Sequence, residues 1–161
     1  MRLCGFFVCF HQGLGTAGSL PVLGAIATGL VYVQCLLGAL VGSRWAAHQC
    51  LGGAQLCQVM DSHLMGVVPP TLAILVLLLT AWRTQALHPW LQRLTLLIGS
   101  LLVGQIGLGM ATLRLHLQVE PLTVTHHTVG AMLTAALMGF TVLAWRDRTA
   151  KISTPPQTTA V

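Results

Sequence analysis

The sequence predicts an all-α fold: an integral membrane four-helix bundle made of two related helical hairpins. Three observations predict it. Four apolar runs separated by short polar stretches each approach the ~20 residues that cross a bilayer as helix. Charged residues make up only 7% of the 161, against roughly a quarter in a soluble domain. Short motifs of the first two runs also return, in the same order, in the last two, the mark of a duplicated unit.

The chain divides into an N-terminal arm (1–19), a membrane domain (20–146) and a disordered tail (147–161). In the arm, Arg2 ahead of Leu3 to Phe10 has the form of a short signal sequence, with Thr16-Ala17-Gly18 as a cleavage region. That apolar stretch is too short to span, so a juxtamembrane arm is the reading adopted. The first span covers about 21–41. Pro21 suits its first turn, where a missing N–H costs nothing. Gly38 and Gly42 make a small-x-x-x-small step that admits a neighbouring backbone, and Gln34 is the polar residue, open to a helix partner or a ligand.

Ser43 to Gln58 reads as a loop holding Arg44, His48, Cys50 and Cys57. The second span, about 59–82, opens with Asp61 and His63 and carries Pro69-Pro70, which kink it because each proline removes a backbone hydrogen bond. After a short loop with His88 comes the third span, about 91–113, rich in glycine and containing Gln105. Arg114 to Leu122 is a loop with His116 and Glu120, and the fourth span is about 123–145. It opens on His126-His127. From Asp147 onward the chain is polar and offers nothing to a core.

The net charge of +5 reflects a shortage of acids, and no basic run interleaves with aromatics, which excludes a nucleic-acid footprint. Arg2, Arg83, Arg93, Arg146, Arg148 and Lys151 fall on one side of the spans, with Arg44 and Arg114 on the other. The positive-inside rule then places both termini in the cytoplasm and the Cys50–Cys57 loop outside, where a disulfide can persist.

The repeat concerns the histidines. Gln34-Cys-Leu-Leu-Gly38 matches Gln105-Ile-Gly-Leu-Gly109, and His63-Leu-Met-Gly66 matches His127-Thr-Val-Gly130. Ala81-Trp82-Arg83 matches Ala144-Trp145-Arg146. Histidines inside membrane helices are costly unless they bind, pair or relay something. In two packed hairpins, His63 and one of His126 or His127 face one central space, near glycines that leave room for a flat ligand. Imidazoles from two facing helices suit the two axial positions of a b-type haem. Zinc is disfavoured, since no closed nitrogen and sulfur set lies nearby. His48, His88 and His116 read as surface residues.

Val33 to Val41, then Ala46-Ala-His-Gln-Cys50 and Cys57, resembles the haem A synthase family, in which a glutamine- and glycine-bearing helix end runs into an outer loop with a cysteine pair. Gln105 to Thr112 and His126-His-Thr-Val-Gly-Ala-Met-Leu133 are similar to that family's last two spans. The resemblance covers about 29–145. It implies a plasma-membrane oxidoreductase that binds haem b and oxidises a methyl group of haem O to the formyl group of haem A, with terminal-oxidase assembly partners. It also implies His63 with His126 or His127 as iron ligands, and Cys50 with Cys57 as a loop staple or dithiol pair. Family register, counted back from Gly130-Ala131, favours His126, whereas the internal repeat favours His127.

The chain departs from the family pattern in three places. It has one four-span half where members have two, and resembles the carboxy-terminal half, which carries the b-type haem. A half-length member implies a homodimer, for which Gly38 and Gly42 offer one contact face, although packing within the chain explains these glycines equally well. Leu64 stands where the family has arginine, and Met60 where its amino-terminal half has a glutamate linked to porphyrin oxidation. These departures favour a second expectation: a b-type haem electron-transfer or oxidase-assembly subunit without synthase activity. In a third, the histidines only pack.

Overall fold

The computed structural model of the chain describes residues 16–43, 55–84, 87–115 and 119–153. These form five helices: α1 (Thr16–Gly42), α2 (Gln55–Met65), α3 (Val68–Arg83), α4 (Pro89–Arg114) and α5 (Glu120–Ser153). There is no strand among the described residues. Four stretches are long and apolar enough to cross a membrane: Gly18–Gly42, Gln58–Arg83, Pro89–Arg114 and Glu120–Thr149. Their outward faces are apolar too, with Leu96 and Val103 both 73% exposed. Helices apolar all round are what lipid as the surrounding solvent requires.

Element ends depart from the sequence reading in ways the backbone explains. α1 begins at Thr16, inside the expected arm, so Pro21 lies within the helix and is buried. Near a helix start a proline withdraws one hydrogen bond, here the one that Ala17 would receive. α2 takes in Gln55 to Gln58, expected as loop, and α5 runs on to Ser153, into the segment read as tail. The second span is broken, as Pro69-Pro70 demand. α2 ends at Met65 and α3 restarts at Val68 with proline in its first turn. Gly66 N still donates to Ser62 O (2.8 Å) and Thr71 N to Val67 O (3.2 Å). Between them, the carbonyls of Met65 and Gly66 face prolines four residues on, which have no hydrogen to give. α4 starts cleanly because His88, a surface residue as expected, caps it, its Nδ1 accepting from Trp90 N at 3.3 Å.

α5 is the hub, packed along both α1 and α4, while α1 also carries α2 and α3. α3 touches α4 only lightly, and α2 has no substantial packing on α4. The buried core occupies one end, where Phe140, Leu137, Ile98, Ile74 and Leu77 are almost fully enclosed. At the other end, where α1 and α4 finish and α2 and α5 begin, the helices splay around a cavity.

Candidate functional site

The cavity has a volume of about 300 Å³, at the lower end of the range for small-molecule sites. Its wall is apolar except for a few side chains, chiefly Gln34, Gln105, His63, His126 and His127. All three histidines singled out in the sequence therefore reach one space, from α2 and from α5. Half-exposed Leu64, Val67, Ile106 and Met110 form part of its rim.

Each histidine ring lies against a glycine of another helix. A Cβ on Gly38 would stand 3.0 Å from His63 Cε1 and 3.6 Å from His127 Cε1. One on Gly42 would stand 2.9 Å from His127 Nε2, and one on Gly109 3.1 Å from His126 Cε1. These are seats that only glycine leaves open. Gly38 and Gly42 therefore seat histidine rings within the chain.

Of the glycines that follow the histidines, Gly130 lines the cavity and Gly66 does not, and a glutamine stands beside each. A Cβ on Gly66 would meet Gln34 Oε1 at 2.7 Å, and one on Gly130 would meet Gln105 Nε2 at 3.0 Å and Cys35 Sγ at 3.2 Å. Gln34 Nε2 donates to the main-chain oxygen of His63 (2.6 Å) and stands 3.0 Å from its Nδ1. Gln105 Nε2 stands 3.4 Å from His126 Nε2.

Two sets of contacts correspond. Gln34 touches His63 and Gly66, and Gly38 seats the His63 ring. Gln105 touches His126 and Gly130, and Gly109 seats the His126 ring. In space His63 thus corresponds to His126, whereas the linear repeat pairs it with His127. The reason is backbone. His63 and Gly66 are three residues apart across the end of α2, while His126 and Gly130 are four apart on an unbroken helix, so the break after Met65 absorbs one residue. His127, about 100° around α5 from its neighbour, turns to α1, with its ring centroid 5.9 Å from that of His126 and the planes tilted by 59°.

Three buried polar atoms here have no hydrogen-bond partner: Gln105 Oε1, Thr123 Oγ1 and His126 Nδ1. Orphaned polar atoms of this kind cost about 1–3 kcal/mol each in a protein interior. Among the described residues no three metal-binding side chains converge on one point. Met60 and Leu64 line the cavity, whereas Asp61 is exposed and does not. The sequence reading of the site missed the cavity role of Cys35, whose Sγ lies 3.8 Å from Thr134 Oγ1. A single cysteine inside an apolar helix carries no signal of its own, because thiols pack there as small hydrophobes. The Cys50–Cys57 pairing, His48 and His116 fall outside the described side chains. No family model, curated protein or solved structure matches this chain.

Proposed function

We propose that the protein is a membrane haem protein of the haem A synthase type, in which His63 and His126 hold a haem. The observation that carries this reading is the convergence of His63 and His126 on one apolar cavity, each ring seated on a glycine and each met by a glutamine. The residues fit the group by their chemistry. Imidazoles from two helices suit iron, and the glutamines beside them orient the rings. A haem supplies the redox centre. The chain's residues supply the imidazoles, an apolar wall that keeps bulk water out, and a rim of Leu64, Val67, Ile106 and Met110 open to an apolar surrounding.

In this reading the chain is a duplicated pair of hairpins in the plasma membrane, with termini in the cytoplasm and the histidines towards the outer face. The activity is oxidation of the haem O methyl group to the haem A formyl group, a four-electron change that takes its oxygen atom from water and passes its electrons to an external acceptor. A homodimer restores the two halves, and terminal oxidases are the consumers. A second reading, a b-type haem electron carrier or oxidase-assembly subunit, is favoured by Met60 and Leu64. They bring no carboxylate and no guanidinium to the cavity wall.

The test is an absorption spectrum of the full chain, made with haem supplied and purified in detergent. A Soret band is expected, reduced by His63→Ala; a colourless protein sinks both readings. Incubation with haem O and extraction of the pigment then divides synthase from carrier.

A further inference from the structure

The two glutamines occupy corresponding places, yet they meet opposite nitrogens of the corresponding rings. An amide nitrogen donates and does not accept. Gln34 Nε2 spends one hydrogen on the His63 carbonyl and directs the other to Nδ1, so Nδ1 accepts and the ring proton sits on Nε2. Gln105 Nε2 faces Nε2 of His126, so there the proton sits on Nδ1, the buried nitrogen without a partner. The two halves therefore present their histidines in different tautomers.

We propose that Gln34 and Gln105 are positioning residues that fix the tautomer of His63 and His126, and with it which ring nitrogen each offers to a ligand. The identity of that ligand rests on the haem reading above; the wiring does not. Glycine makes the arrangement possible, since a side chain at Gly66 or Gly130 would displace the amide from its place beside the ring. An amide also has a property no other side chain here shares. A half-turn about its last torsion exchanges donor for acceptor with almost no change in shape. For His63 to give a lone pair from Nε2 to a metal, the proton must move to Nδ1, and a Gln34 amide turned to accept it gives up its bond to the His63 carbonyl. A carboxylate at this place permits only that accepting state, and a thioether permits neither.

The experiment uses the full chain in detergent with ¹⁵N-labelled histidine and nitrogen-detected tautomer assignment, without added haem. Wild type is expected to carry Nε2–H on His63 and Nδ1–H on His126. Gln34→Glu moves His63 to Nδ1–H, and Gln34→Met leaves it as a mixture, while His126 stays unchanged in both. Gln105→Met releases His126 alone. An identical His63 tautomer in wild type, Gln34→Glu and Gln34→Met overturns the proposal, whatever the haem content. With haem supplied, Gln34→Glu lowers the midpoint potential because its imidazole is the more basic, and Gln34→Met weakens haem affinity by roughly 10–100-fold. An unchanged potential in Gln34→Glu also overturns it. Tautomers that respond as stated in a chain that takes up no haem refute the haem reading and leave the positioning role standing.

Discussion

At Gly42 the space for a side chain ends 2.9 Å away at His127 Nε2, and at Gly109 it ends 3.1 Å away at His126 Cε1. Gly104 and Gly107, on the same helix as Gly109, have nothing within 4 Å. Glycine-rich helices in membranes invite one explanation for all their glycines, but these two groups differ in kind. Gly109→Leu is expected to push His126 off its seat and cut haem uptake severalfold. Gly104→Leu should leave uptake unchanged. The measurement is the ratio of Soret to protein absorbance in matched preparations, and equal ratios for the two variants would remove the seating role. The sequence marked the glycines of α4 alike, since the difference lies in which face of that helix meets α5.

The break between α2 and α3 is the element-scale device on which the site depends. Pro69 and Pro70 withhold two hydrogen bonds, and the helix pauses at Gly66-Val67 before continuing to Arg83. The pause turns His63 towards Gly38 while α3 keeps Ile74 and Leu77 in the core. Removing the block with the double change Pro69→Ala and Pro70→Ala should let α2 and α3 join as one helix, with at most a modest rise in thermal stability, since prolines in a first turn cost little. It should also lower haem occupancy, because one continuous helix rotates His63 relative to Ile74. Circular dichroism melting and the absorption spectrum check the two halves of this prediction. A joined helix with full occupancy would show that the break is incidental to the site.

Across the whole molecule the two ends have different tasks. The end with Phe140, Leu137 and Ile98 is packed, whereas the end with the histidines is hollow. Exposed Trp82, Trp90 and Trp145 cluster with Arg83, Arg93 and Arg146 at the packed end, and Arg93 lies 5.0 Å from the Trp90 ring centroid. Aromatic and basic residues together suit a membrane interface, and in the proposed topology the basic excess lies on its cytoplasmic side. In a background without the native cysteines, Thr84→Cys should be protected from a membrane-impermeant thiol reagent added outside intact cells, and Ser43→Cys should be labelled. The opposite pattern inverts the topology. Phe140→Ala belongs to this scale too. It should lower the melting temperature, as emptying a fully enclosed aromatic site does, while haem spectra of the folded fraction keep their shape.

Composition and apolar run length determined the all-helical architecture and four membrane-length helices, because burial of backbone polar groups in an apolar surrounding leaves the chain few other forms. The same patterns singled out Gln34, Gln105 and the three histidines, since polar side chains are conspicuous where almost nothing else is polar. What they could not decide is which atoms meet. The linear repeat pairs His63 with His127, and the tertiary structure pairs it with His126, because a helix break of less than one turn shifts the register by a residue. The direction of the Val124–Gly130 stretch likewise depends on α1 and α4 standing on either side of α5. Adjacent residues on a helix point about 100° apart, so His126 and His127 are separated only once both neighbouring helices are in place.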